Sequence, residues 1–112
     1  MTSVADRARR TITWQEASAS RVALERALEA ARAADPTVGR LLASGEQVIY
    51  TGAGTSYHLA RTVAWVHRTT LRRPALAAPL SELLLRQDGV LNGGDPERQP
   101  IAVISRSGAT SE

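Results

Sequence analysis

Apolar positions in the first third of the chain recur with the period of a helix. Leu24, Leu28 and Ala31 are separated by four and then three residues, which places them on one side of a helix. The pattern predicts a helix over residues 11–34. The pair Asp35-Pro36 is expected to end it, because the residue before a proline avoids helical backbone angles. A short helix over residues 38–43 is expected to follow.

Three short apolar runs in the remainder of the chain have the length of buried strands. They are Gln47–Thr51, Ala75–Ala78 and Ile101–Ile104. A stretch with the apolar spacing of a helix lies between the first run and the second, and a short apolar stretch follows the second run. The order helix, strand, helix, strand, helix, strand predicts an α/β fold in which crossover helices cover a parallel sheet.

The stretch after the first strand predicts a helix that runs to about Leu71, with Thr55 or Ser56 as its N-cap. Its predicted buried face repeats at helical spacing and consists of Leu59, Val63, Val66 and Thr70. A second stripe at the same spacing consists of Arg61, Trp65, Arg68 and Arg72. This stripe fits either a solvated face or a surface that contacts a partner subunit, since Trp and Arg are favoured in such contacts.

Turn and capping signals divide the last third of the chain. Ser81-Glu82 is expected to cap a short helix over residues 83–85. Residues 88–100 are expected to form a loop, with the strongest turn signal in the segment Asn92–Pro96.

Two loops rich in glycine and hydroxyl side chains follow the first and third predicted strands. They are Gly52–Ser56 and Ser105–Thr110. Both fall at the carboxyl ends of parallel strands, which is the edge of such a sheet where ligands bind. Hydroxyls and backbone N–H groups at the start of a helix suit a phosphate. The loops do not match a dinucleotide fingerprint or a Walker loop, because Tyr57 stands where a third glycine is needed and the chain has no lysine.

Composition narrows the class of protein. The chain has no cysteine, and its two histidines, His58 and His67, are too few for a zinc site of their own, so we expect no metal site. No apolar run approaches the roughly 18–20 residues of a membrane span, and the N-terminus has no signal-peptide core. We therefore expect a cytoplasmic protein without a membrane partner. The 14 arginines are mixed with 11 acidic residues to a net charge of +3, which argues against nucleic-acid binding.

The two loops, taken with Ser81-Glu82, resemble the SIS (sugar isomerase) domain. The segments that carry this resemblance are Gly52–His58, Ser81-Glu82 and Ser105–Thr110. The family includes the phosphosugar-binding modules of glucosamine-6-phosphate synthase, of isomerase-type glucosamine-6-phosphate deaminases and of tagatose-6-phosphate ketose/aldose isomerases. The resemblance implies a three-layer αβα fold with a parallel sheet, flavodoxin-like or Rossmann-like, and a phosphorylated sugar as ligand.

The resemblance also implies roles for individual residues. Ser56, Ser105, Ser107 and Thr110 would bind the phosphate of the sugar. Gly54, Thr55, Arg106 and Gly108 would line the pocket. Arg106 departs from the glutamine that is frequent at this position in the synthase branch. The catalytic base stays unassigned, since neither His58 nor Glu82 carries that role by its position, and no cofactor is implied.

The resemblance begins near Thr11 and includes only the first part of an SIS domain. We therefore expect an N-terminal helical segment, residues 1–46, and an SIS domain over 47–112 that is incomplete at its C-terminus. The predicted function is a phosphosugar-binding module from an isomerase or deaminase, without catalysis of its own and homodimeric in its full-length form. The alternatives are a sugar-phosphate-sensing domain of a transcriptional regulator and a non-functional remnant of a gene.

Overall fold

The computed structural model describes residues 2–91 and 95–109 of the 112-residue chain. The chain divides into two compact units, Met1–Asp35 and Pro36–Glu112. In the described residues, the first unit is helical and the second combines helices with a small parallel sheet. The predicted turn residues Asn92, Gly93 and Gly94 and the predicted phosphate ligand Thr110 lie outside the described residues.

Over residues 2–35, the first unit contains three helices, and none of them has a buried residue. They are α1 (Val4–Arg9), α2 (Ile12–Ser18) and α3 (Ser20–Ala33). The helical content predicted over residues 11–34 is confirmed, but the prediction of one continuous helix is wrong because the chain turns at Ala19. The Ser20 hydroxyl donates to the Glu16 carbonyl at 3.4 Å. Such side-chain bonds compete with the helical backbone pattern and favour a bend or break.

The second unit is built on strands β1, β2 and β3. Its elements are α4 (Pro36–Ser44), β1 (Val48–Gly52), α5 (Thr55–Leu71), β2 (Ala75–Pro79), α6 (Leu80–Leu85), α7 (Gln87–Leu91), a 3-10 helix (Pro96–Arg98) and β3 (Ile101–Val103). Both neighbours of β1 run parallel to it, in the order β2-β1-β3. The predicted mixed α/β fold with a parallel sheet is thus confirmed.

The central strand β1 divides the core into two clusters, because alternate side chains of a strand point to opposite faces. Val48 and Tyr50 pack with helix α5, and Leu42 of α4 also contacts this cluster. Ile49 packs on the other face with Leu83 of α6 and Val90 of α7. Since all five residues of β1 are buried, this strand is the centre of the second unit.

The face that α5 buries differs from the predicted one. Its buried residues are Ala60, Ala64 and His67, whereas Leu59 and Val66 of the predicted face are about half exposed. One residue corresponds to about 100° of rotation, so the helix is turned by roughly a quarter of a circle from the prediction. The small alanine side chains let α5 lie close to the sheet, and the large side chains fall at the edge of the contact.

Two predicted N-caps are also wrong. Helix α5 starts after Gly54, whose φ of +56° favours a glycine, and Thr55 is the first residue of the helix. Helix α6 starts directly after Pro79, the last residue of β2, so Ser81 and Glu82 lie within its first turn. At the second of these places, β2 leads directly into α6 with no residue between them.

The predicted loop over residues 88–100 contains short helical segments, α7 and the 3-10 helix. Asp88 and Gly89 are poor helix formers, which explains the wrong prediction. The burial of Val90 against the sheet face outweighs this local preference. In the described part of the chain, no helix has both the length and the hydropathy that a membrane span requires.

Candidate functional site

A cavity of about 140 Å³ opens where the carboxyl ends of the three strands meet. Ala53 and Ser56 line it from the end of β1, and Leu80 lines it from the end of β2. The other lining residues come from the last residue of β3 and the segment after it: Val103, Ile104, Ser105 and Gly108. All three strand ends therefore contribute to one concave site at the edge where parallel sheets bind ligands.

The backbone between β1 and α5 is held close to β3 at Gly52. A Cβ atom at this position would lie 2.9 Å from the backbone carbonyl carbon of Ser56 and 3.0 Å from the carbonyl oxygen of Ile104. The Ile104 N–H donates to the Thr51 carbonyl at 2.8 Å, which extends the pairing of the two strands to their ends. Gly52 thus allows the first turn of α5 and the end of β3 to meet at the cavity.

Ser56 contributes its hydroxyl from the first turn of α5. Its backbone N–H already donates to the Ala53 carbonyl at 3.1 Å, while its half-buried side chain lines the cavity. Helix α5 has 17 residues. A helix of this length carries a partial positive charge at its N-terminus, which favours an anion there.

Ser105 is oriented by the turn that it forms. Its hydroxyl oxygen accepts a hydrogen bond from the Gly108 N–H at 2.9 Å, and Gly108 has a φ of +68°, which favours glycine. A serine hydroxyl that accepts one bond retains its O–H donor. Ser105 can therefore donate a hydrogen bond to an anion in the cavity.

Of the predicted site residues that the structure describes, Ser56, Ser105 and Gly108 are brought together. Gly54, Thr55, Arg106 and Ser107 are exposed and are not among the lining residues. The Ser107 hydroxyl accepts from the Ala109 N–H at 3.3 Å, so it stabilises the turn beside the cavity.

The lining residues that the structure describes carry no ionisable side chain. An anion in this cavity would be held by hydroxyls, backbone N–H groups and the α5 dipole. Sequence reasoning missed Leu80, the one lining residue contributed by the end of β2, because an apolar residue at a helix start gives no chemical signal. Within residues 2–91 and 95–109, no three histidine or acidic side chains cluster so as to hold a metal ion.

A buried polar pair between β1 and α5 was also missed. Tyr50 Oη and His67 Nδ1 share a hydrogen bond of 2.9 Å between β1 and α5. Burial raises the pKa of Tyr50 and lowers the pKa of His67, so both side chains stay neutral near pH 7. The Nε2 atom of His67 has no hydrogen-bond partner among the described residues. The spacing of His67 from Ala60 and Ala64 was the signal that could have placed it on the buried face.

Comparison with known proteins adds no relative: no family model matches the sequence, and neither a curated protein nor a solved structure matches it.

Proposed function

We propose that residues 47–112 form the phosphate-binding part of a phosphosugar site of the SIS type. The observation that carries this proposal is the single cavity lined by both hydroxyl-bearing loops, through Ser56 after β1 and Ser105 after β3. The parallel pairing of β1 and β3 brings these two loops, whose serines are 49 positions apart in the sequence, to the same edge of the sheet. Their meeting point is also the start of α5, which favours negative charge.

In this proposal the hydroxyls of Ser56 and Ser105 donate to the phosphate oxygens, and the α5 N-terminus stabilises the anion. Ser107 and Thr110 complete the phosphate ligands, as the resemblance implies. Gly54, Thr55, Gly108 and Arg106 form the surroundings of the bound group. Each hydrogen bond to a charged phosphate contributes about 1.5–3 kcal/mol.

The size of the cavity fits a phosphate group better than a whole sugar phosphate. Pockets that enclose a drug-sized ligand have volumes of roughly 300–1,000 Å³, whereas this one has about 140 Å³. The phosphate would therefore occupy the cavity and the sugar would extend beyond the strand ends. The proposed activity is binding, and no residue is assigned as a catalytic base.

The finer features of the fold and setting belong to the same proposal. Helices contact both faces of the sheet, α5 on one and α6 with α7 on the other, which supports a three-layer αβα arrangement of the SIS type. A cytoplasmic location and a homodimeric full-length form follow from the resemblance and are proposed with it.

Binding of phosphorylated and unphosphorylated sugars tests the proposal. Isothermal titration calorimetry with fructose 6-phosphate, glucosamine 6-phosphate and tagatose 6-phosphate should show binding by at least one of them. Fructose, glucosamine and tagatose should bind far more weakly. Ser56→Ala and Ser105→Ala should each weaken the binding about tenfold or more, since each removes a hydroxyl that lines the cavity.

The matched control is Ser18→Ala, which removes an exposed serine hydroxyl at the end of α2 in the first unit. This variant should bind as the unaltered protein does. Equal affinity for sugars with and without phosphate, or no binding of any phosphosugar, would contradict the proposal.

A further inference from the structure

A second, larger groove lies between α5 and the outer edge of β2. Its volume is about 650 Å³, and it shares no lining residue with the cavity at the strand ends. Arg61, Trp65 and Arg68 line it from the helix, and Leu76 and Ala77 line it from the strand. The groove is therefore part of the second unit but separate from the candidate phosphate site.

The groove has a positive and unbalanced charge. Arg61 and Arg68 lie seven residues apart on α5, which separates them by about 10 Å along the helix axis. In the part of the chain that the structure describes, neither guanidinium forms an ion pair with a carboxylate. The described residues that line the groove include no acidic side chain. The positive charge is thus available to an anionic partner.

An aromatic side chain stands between the two arginines. Trp65 lies four residues after Arg61 and three before Arg68, and 59% of its surface is exposed. Trp and Arg are the residues that most often dominate binding energy at protein–protein contacts, because a large apolar surface is combined with directional donors. The groove therefore offers an apolar centre with a cation on either side.

Two features at the outer edge of β2 oppose the addition of another strand. The Pro74 carbonyl accepts from Val48 on β1, so the backbone groups of Ala75 point to the outer edge. There the Arg68 Nη1 donates to the Ala75 carbonyl at 2.7 Å. Pro79 has no N–H to offer at the far end of the strand. Both features disfavour strand pairing at this edge, which favours recognition of a partner through side chains.

We propose that this groove binds an acidic segment of a partner protein, whose carboxylates pair with Arg61 and Arg68 while an apolar side chain covers Trp65. A helix with two glutamates seven residues apart and a leucine between them matches the spacing of the three side chains. A polypeptide is favoured over a nucleic acid because residues 36–112 balance eight arginines with six acidic residues. Phosphate backbones need a more continuous basic surface.

A labelled helical peptide of about 18 residues, with glutamates and leucine at these spacings, tests the proposal by fluorescence anisotropy. It should bind the full chain, and the same peptide with glutamine in place of glutamate should not. Arg61→Glu and Arg68→Glu should each weaken binding about tenfold or more, and Trp65→Ala should weaken it as well. The doubly reversed variant Arg61→Glu/Arg68→Glu should instead bind a peptide with lysine at the two glutamate positions.

Arg86→Glu is the matched control, since Arg86 is an exposed arginine outside the groove; it should bind the glutamate peptide normally. Circular dichroism verifies that each variant is folded. Equal binding of the glutamine peptide would overturn the proposal. So would tighter binding of a thymidine oligonucleotide through the same arginines, or self-association through the groove in analytical ultracentrifugation without peptide binding.

Discussion

Gly52 lies so close to Ser56 that a Cβ atom at position 52 would stand 2.9 Å from the Ser56 backbone carbonyl carbon. The close approach brings the end of β1, the start of α5 and the end of β3 to one point. The hydroxyl of Ser56 reaches the cavity from this point. A single glycine therefore couples the packing of the second unit to the geometry of the candidate site.

Gly52→Ala is expected to destabilise the protein by about 1–3 kcal/mol, because the new methyl group meets backbone atoms that have little freedom to move. Urea unfolding measures the change. Gly39→Ala in α4 is the control, since nothing lies within 4 Å of a Cβ there. It should stabilise the helix by about 0.5–1 kcal/mol. Equal stability of Gly52→Ala and the unaltered protein would show that the close approach is not a constraint.

Arg72 ends α5 with a φ of +54°, in the left-handed region that favours glycine. Arg72→Gly should raise the free energy of unfolding by about 1 kcal/mol, because the Cβ penalty of this conformation disappears. Arg73→Gly is the control: Arg73 is outside the left-handed region, and this substitution should bring no gain. A lower midpoint of urea unfolding for Arg72→Gly would argue against this ending of the helix.

Because His67 is buried in its pair with Tyr50, we expect the free energy of unfolding to fall when the pH decreases. Burial lowers the pKa of His67 in the folded protein, so the unfolded chain takes up the proton first. This contribution to stability is present above the unfolded pKa of about 6.5 and is lost as the pH falls below it. Urea unfolding at pH 7.5 and at pH 5.5, roughly one unit on either side of that value, measures the loss.

Tyr50→Phe/His67→Leu removes both partners of the pair and should reduce the loss of stability between these pH values. His58→Gln replaces an exposed histidine of the same helix and should leave the loss unchanged. An equal pH dependence in the Tyr50→Phe/His67→Leu variant and the unaltered protein would assign the effect to other groups.

The sheet could be predicted because each strand is a short apolar run with a turn or helix signal on either side. The rotation of α5 could not be predicted. Leu59 and Val66 are more hydrophobic than Ala60 and Ala64, so hydropathy alone places Leu59 and Val66 on the buried face. In the structure the two alanines are buried instead, since their small side chains allow α5 to lie close to β1. The burial of His67 could not be predicted either. Its hydrogen-bond partner, Tyr50, is 17 residues away in the sequence, and the two side chains meet only in the folded protein.

The site could be predicted in part. Ser56 and Ser105 were found because each follows a predicted strand, and parallel strands end at one edge of a sheet. Leu80 was not found, because its place in the cavity depends on how β2 leads directly into α6. The turn that ties Ser105 to Gly108 depends on backbone angles that no local pattern specified.

The convergence of the two loops on one anion is tested most directly by NMR titration of the backbone amides with glucosamine 6-phosphate. Among the residues that line the cavity, the amides of Ala53, Ser56, Ser105 and Gly108 should shift together. One dissociation constant should describe all of them, and glucosamine should leave them unchanged. Shifts confined to one loop, different dissociation constants for the two loops, or shifts elsewhere in the chain alone would contradict the proposed site.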